Sequence, residues 1–406
     1  MRTFSKADKQ KRLWLPKLTA ASSAFLLIAA TTAGTAGAQE SSTCNGLTAT
    51  MVASDIDGSV AGTAGDDVII VDMEAAIDED QQYYQAAAIV LALGGNDTVC
   101  VRGSQGVVQI LAGSGDDTII VETNPESFVS TSVLAGDGDD HVEVLSGFAD
   151  VFLDDGDDTY IHSGEALDDH YYYGGFVDGG AGNDTLTGGA GQDSLSGGAG
   201  DDIISGGAND DRLDGDDGND ILRGGYGNDE IDGNDGDDTI YGSRGDDWLS
   251  GGVGADEIHG GPGNDNLSSS YAWDMNPHGE SEIPDIAGAR MFGGEGDDML
   301  WGSDRWDRMQ GGPGDDVLAG YEGRDYLRGG PGNDMIVGGT NIDDVNGNTG
   351  NDRVFIQGAD LASGGHGNDS CGGFSWEDIV IPGTCEESFS TTIEAINANF
   401  INNGGD

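Results

Sequence analysis

A nine-residue period constrains this chain more than any other feature. From Gly179 it divides without a gap into ten units ending at Ser268, beginning GGAGNDTLT, GGAGQDSLS, GGAGDDIIS. A second in-frame run of seven units extends from Gly293 to Phe355. In all 17 units the first position is Gly, the sixth is Asp and the eighth is apolar; the fourth is Gly except at Asn209, Arg305 and Asn341. One later unit, Gly364 to Gly372, places Cys371 at the eighth position. Upstream the same turns recur at wider intervals, ending at Asp67, Asp97, Asp117, Asp140 and Asp158. The last of these gaps is 18 residues, two nines, which suggests coils that keep one acidic turn and replace the other with strand and loop.

Six turn residues followed by three strand residues account for this pattern. Successive strand side chains alternate faces, so only the eighth position points inward, forming a thin apolar ladder. Glycines at positions one and four are expected to supply positive φ and close backbone approach. Asn209 and Asn341 retain that capacity, whereas Arg305 does not, which marks the turn Gly302 to Asp307 as the weakest. Two units make one coil, so like turns stack every 18 residues and their Asp side chains and carbonyls converge. Clustered hard oxygen ligands without His or Cys suit Ca²⁺. Position five varies among Asn, Gln, Asp, Ala, Trp, Arg and Ile, so a side chain such as Asp237 reads as a solvated bystander.

Charge removes several functions. The chain has 75 acidic against 16 basic residues, a formal net charge of −59. Nucleic acid and anionic membrane surfaces are therefore excluded as partners of the whole surface. The acids are 58 Asp and only 17 Glu, a bias toward the short carboxylate that a merely solvated surface does not require. Glycine numbers 72 without recurring every third residue, which excludes collagen. A basic stretch from Arg2 to Lys17 precedes an uncharged run ending in Ala36-Gly37-Ala38, so residues 1–38 read as a cleaved export signal. No later stretch is apolar enough to enter a membrane, and the expected destination is extracellular or the cell surface. Four cysteines agree with an oxidising compartment. Three pairings are possible; the expected one closes each end separately, as Cys44–Cys100 and Cys371–Cys385.

The units resemble the GGxGxDxUx nonapeptide of hemolysin-type (RTX) calcium-binding repeat proteins, closely over 179–355 and loosely over 62–178. The resemblance implies an all-β, right-handed parallel β-roll solenoid whose turns bind Ca²⁺ between coils, with the sixth-position Asp as side-chain ligand. Residue by residue this assigns Asp184, Asp193, Asp202, Asp211, Asp220, Asp229, Asp238, Asp247, Asp256 and Asp265 in the first block. In the second it assigns Asp298, Asp307, Asp316, Asp325, Asp334, Asp343 and Asp352, followed by Asp369; Asp67, Asp97, Asp117, Asp140 and Asp158 are the upstream equivalents. Pairing each unit with the next but one gives eight sites in the first block and five in the second, about 13 ions. Many family members leave the cell through a dedicated exporter without a leader; this chain instead resembles leader-bearing members.

The expected organisation is a signal peptide (1–38), a cap (39–61), an irregular solenoid (62–178), a regular block (179–268), an insert (269–292), a second block (293–355) and a C-terminal remnant, disulfide cap and tail (356–406). An earlier interruption runs from Val71 to Leu91. The insert holds Tyr271, Trp273, His278 and Glu280, a candidate ligand loop. No HExxH, GxSxG or phosphate-loop motif occurs. The reading is a non-enzymatic calcium-folded scaffold whose partners beyond Ca²⁺ are a surface or matrix polysaccharide or protein. The alternative is a polysaccharide lyase, epimerase or hydrolase using the upstream groove, with paired acids such as Asp157-Asp158 as acid and base.

One inward aliphatic residue per nine is a small return for the backbone order it must support, and stacked aspartates add repulsion. Chelated protein is therefore expected to be expanded, and millimolar Ca²⁺ to induce cooperative β-structure and compaction, with Mg²⁺ far less effective. Circular dichroism and hydrodynamic radius check this; a chelated sample as compact as the Ca²⁺ form would contradict it.

Overall fold

Strand alternation turns position eight inward, and the computed structural model shows what those side chains meet. It describes residues 43–54, 58–73, 87–103, 107–123, 130–147, 149–164, 173–269, 288–356, 361–373, 379–380 and 387–388. Leu186, Ile204, Leu222, Ile240 and Ile258 pair in register in one parallel sheet. Leu195, Leu213, Ile231, Leu249 and Leu267 do the same in a second. All ten are buried between the sheets. A coil thus comprises a turn, a strand of the first sheet, a second turn and a strand of the second sheet. The described residues form a parallel β-solenoid with no helix among them. No helix there is long and apolar enough to cross a membrane.

The ladder reaches from Met51–Ser54 to the short pairs at Ile379–Val380 and Glu387–Ser388. Upstream strands bury more than one apolar residue each: Ile69 with Val71, Val99 with Val101, Ile119 with Val121, and Val142 with Val144. Among the described residues those coils carry acidic turns on one edge, and their core is thicker. The regular blocks bury one such residue per strand and have turns on both sides.

Sequence spacing misplaces the end of the insert. Residues 290–292 belong to strand Arg290–Glu295, with Met291 paired to Ile258 and buried in the core. The unit that ends at Phe292 has Pro284 at position one and Ala289 at position six, where the others carry Gly and Asp, so its frame is invisible in the sequence. The ends of the Val71–Leu91 interruption are likewise strands, Val68–Met73 and Ala87–Leu91. Tyr271, Trp273, His278 and Glu280 lie outside the described residues.

The roles of the glycines also differ from expectation. Positive φ occurs at positions two and four, as in Gly180 and Gly182, not at position one. Position two consequently accepts Asp216, Asn234, Ser243, Tyr321 and Asn348, all with positive φ. Asn209 and Asn341 adopt it at position four. Position one is invariant for lack of space: a Cβ on Gly215 would meet Asp220 Oδ2 at 2.5 Å and the Gly233 carbonyl oxygen at 2.6 Å.

Cys44 and Cys100 form a disulfide with Cα atoms 5.9 Å apart. Together with Ile70 they make a small buried cluster separate from the main core. Cys371 is disulfide-bonded, and Cys385 lies outside the described residues. The chain divides into a unit of Ser41–Thr391 and one of Met1–Glu40 with Thr392–Asp406. The second unit, which includes the expected signal peptide, is also outside the described residues.

Candidate metal centres

Because like positions stack every coil, the sixth-position aspartates form two columns, one on each edge of the solenoid. Column A runs through Asp67, Asp97, Asp117, Asp140, Asp158, Asp184, Asp202, Asp220, Asp238 and Asp256. It is interrupted by Ala289 and resumes at Asp307, Asp325 and Asp343. Column B runs without a break from Asp193 through Asp211, Asp229, Asp247, Asp265, Asp298, Asp316, Asp334 and Asp352 to Asp369. The step from Asp265 to Asp298 crosses the insert, 33 residues apart in sequence. All these carboxylates are buried.

One geometry repeats along both columns. The backbone N–H of each Asp donates to Oδ1 of the Asp one coil later, at 2.8 Å for Asp220 to Asp238. The other oxygen, Oδ2, is buried without a hydrogen-bond partner in Asp184, Asp202, Asp220, Asp238, Asp247, Asp265, Asp298 and Asp334, among others. Beside many of these oxygens, a carbonyl of the next coil approaches the same point. The point where a Cβ on Gly188 would lie is 2.6 Å from both Asp193 Oδ2 and the Gly206 carbonyl oxygen. A buried, unpartnered carboxylate oxygen is costly unless something compensates it. Among the described residues no three His, Cys, Asp or Glu side chains converge, so carboxylates enter singly and carbonyls supply the remaining donors. Such all-oxygen donor sets fit Ca²⁺, which takes carboxylate and carbonyl ligands at about 2.3–2.6 Å.

Two turns are exceptions. Ser303 N–H donates to Asp307 Oδ2 at 2.7 Å, and Thr63 N–H donates to Asp67 Oδ2 at 2.6 Å. Their position-two hydroxyl residues and position-four Arg305 and Gly65 all lack positive φ. These turns close on themselves and consume the oxygen that the other turns leave buried and unpartnered. Asp193, at the start of column B, has neither carboxylate oxygen hydrogen-bonded, and His162 Nδ1 lies 3.9 Å from its Oδ1.

Position five is not a bystander. Asp237 N–H donates to Asn219 Oδ1 and Asp237 Oδ1 accepts from Ala255 N–H, both at 2.9 Å. The same link recurs from Asn183 through Asp201 and Asn219. Adjacent side chains in one turn therefore clamp opposite neighbours: position five holds the following coil and position six the preceding one. The excess of Asn and Asp at position five was the available clue, masked by Ala, Trp, Arg and Ile in a few units. Asp157 and Asp158 are committed to these two ladders, accepting from Asn183 N–H and Asp140 N–H.

Burial raises the aspartate pKa values, to about 7 for Asp220 and Asp238 and about 8 for Asp211. The accepted backbone hydrogen bond opposes that shift, and neighbouring carboxylates add to it.

The RTX calcium-binding nonapeptide repeat model matches residues 178–213, 205–240, 214–249, 232–267, 290–318 and 301–336. No curated protein matches the sequence. Among solved structures, a hyperactive, Ca²⁺-dependent, beta-helical antifreeze protein from an Antarctic bacterium is similar at 18% identity. That match covers 89% of this chain and 91% of the other, with a TM-score of 0.26.

Two outcomes are expected. Asp238→Ala removes a buried, unpartnered carboxylate oxygen and a ladder acceptor and should raise the Ca²⁺ midpoint of folding severalfold. Asp237→Ala should cost only its ladder bond, about 0.5–1.5 kcal/mol, and Asp237→Asn, which keeps Oδ1, almost nothing. Tryptophan fluorescence titration separates the three, and equal shifts would refute the assignment. The second outcome concerns pH. Aspartates with folded pKa above the ordinary 3.8 favour the metal-free solenoid below about pH 4, and that stabilisation is lost as pH rises through about 7. Chelated protein should gain β-structure on acidification from pH 7.5 to 4.5. Because protons compete for the same oxygens, the Ca²⁺ midpoint should fall between pH 6 and 8. Circular dichroism at fixed ionic strength measures both.

Proposed function

RTX calcium-binding nonapeptide repeats make up the regular part of this chain, and from that premise we propose that it is an extracellular scaffold that folds on calcium. Its role is structural or adhesive, and its partner is a polysaccharide or protein of the cell surface or matrix. The observation that carries this reading is the pair of columns of buried carboxylate oxygens facing carbonyls of the next coil. Ca²⁺ would be held by the position-six carboxylates and turn carbonyls, where it supplies the charge that the columns lack. The chain's own contribution is to stack these donors at a fixed pitch and to exclude water beneath them with the position-eight ladder.

Location follows from affinity. Extracellular calcium modules work with dissociation constants of about 10⁻⁴–10⁻³ M, so a scaffold of this kind stays unfolded during export and folds outside. The basic and then uncharged stretch before Gln39 supports the same route.

Expressed in a bacterial host with its own N-terminus, the protein is expected outside the cytoplasm, beginning at Gln39. It should lose protease resistance when Ca²⁺ is chelated. N-terminal sequencing and limited proteolysis check this. Cytoplasmic retention with residues 1–38 intact, or resistance indifferent to Ca²⁺, would overturn it.

A further inference from the structure

The two edges of the solenoid are not equivalent. On the column B edge the position-five ladder continues from Asp210 through Asn228, Asp246, Asn264, Asp297, Asp315, Asn333 and Asn351 to Asn368. On the column A edge it stops at Ala255, and the following coils place Gly288, Trp306, Arg324 and Ile342 at that position. The replacements remain stacked: a Cβ on Gly288 would meet the Trp306 carbonyl, and one on Gly323 the Arg305 carbonyl. In the first of these coils Ala289 also replaces the column aspartate, whereas Asp307, Asp325 and Asp343 keep it, buried, in the next three. One stretch of one edge has thus lost its acids and amides at the exposed fifth position, and at Gly288-Ala289 the sixth-position acid as well.

That edge is also where the basic residues gather. The chain has 12 arginines, and Arg290, Arg305, Arg308, Arg324 and Arg328 fall on these coils. The 18-residue pitch brings the turns of Arg305 and Arg324 to one edge and Arg308 and Arg328 onto the adjoining outer face of the first sheet. Arg290 pairs with Glu257 at 2.7 Å and Arg328 with Asp344 at 2.9 Å. Arg305, Arg308 and Arg324 form no ion pair among the described residues. Aromatic rings lie between them. Trp306 is 56% exposed, and Tyr326, 40% exposed, has the Arg308 guanidinium 5.3 Å from its centroid and that of Arg328 at 3.6 Å. Exposed Tyr321 and Ile342 extend the patch; Asp304 and Glu322 are the exposed acids of the same turns, whose position-six Asp307 and Asp325 are buried beneath them.

We propose that this edge, centred on Arg305, Trp306, Arg308, Arg324 and Tyr326, binds an anionic polysaccharide. The proposal rests on the scaffold reading above and names its partner. Guanidinium groups match carboxylate or sulfate in paired hydrogen bonds, and exposed rings offer an apolar surface to the faces of sugar rings. The site is an open edge of three coils, about 4.8 Å apart, which suits an extended chain rather than a small molecule. The acidic column B edge and the acidic coils of the column A edge before Ala255 limit it to a polymer of sparse charge. Duplex nucleic acid, with a charge every ~1.7 Å, would overrun the patch and meet those edges within the Debye length of about 8 Å.

The test uses calcium-loaded full-length protein and immobilised carboxymethyl-dextran, with unmodified dextran, poly-glutamate and duplex DNA as alternatives. Carboxymethyl-dextran should bind at least tenfold more tightly than the other three, and binding should weaken with salt. The combined variant Arg305→Glu, Arg308→Glu, Arg324→Glu should lose at least tenfold in affinity, and Trp306→Ala severalfold. Arg353→Glu, on the second sheet, should change nothing. Trp306→Ala leaves every column aspartate in place, so its Ca²⁺ midpoint should be unchanged and its result decides the matter if the triple variant folds poorly. Full binding by Trp306→Ala and the triple variant, or equal binding of unmodified dextran, would overturn the proposal. Tighter binding of poly-glutamate or DNA would overturn the choice of partner. Loss of calcium-dependent folding or export in the wild type would sink the scaffold reading separately.

Discussion

Two columns of carboxylates, buried and one coil apart, govern the rest of this structure. All but the first of each column contribute an oxygen to a backbone N–H of the preceding coil, and in many turns the second oxygen faces a carbonyl instead of a donor. Like charges at that spacing in a partly desolvated edge cannot all remain ionised without compensation, which is why burial shifts so many of them upward. Only protons or cations can supply the compensation, and at neutral pH the hard oxygen donors favour Ca²⁺. The acidic composition, the glycine content and the thin core all follow from arranging such turns at short intervals.

The two halves meet this constraint differently. Upstream coils bury paired residues such as Val99 with Val101 and Ile119 with Val121, and among the described residues column A edges them. Regular coils bury single residues such as Leu222 and Leu213 and are held at both edges. Core and turn are therefore exchangeable sources of cohesion. Within a turn, positions five and six clamp in opposite directions, so each coil is tied to both neighbours by side chains as well as by sheet hydrogen bonds. This double tie explains how register survives the 33-residue step across the insert.

Where the clamp is given up, the surface changes character. Column A loses its acidic pair at Gly288 and Ala289, closes the next turn through Ser303, and then carries Trp306, Arg324 and Ile342 outward. Column B keeps an uninterrupted ladder beside it. Solenoids tolerate this division of labour because each coil depends only on its neighbours; one edge can be modified while the other maintains the stack.

Much of this was legible in one dimension because a solenoid converts sequence period directly into spatial neighbourhood. The period of nine with an apolar eighth residue determined two parallel sheets and an inward ladder, and the invariant sixth Asp determined the columns. Three features needed the third dimension. Position one is glycine because Asp Oδ2 and a carbonyl of the next coil occupy the space of its side chain, whereas position two, which has the positive φ, accepts Asp216 or Tyr321. Asp237 resembles a spare charge until the next coil sets the Ala255 N–H over its oxygen. Ala289 and Met291 hide in an apparent insert because Ala at the sixth position erases the motif while the backbone keeps its pitch. Arg305, Arg308, Arg324 and Arg328 are unremarkable along the chain; only the 18-residue coil stacks them on one side, because the fold decides which distant turns share an edge.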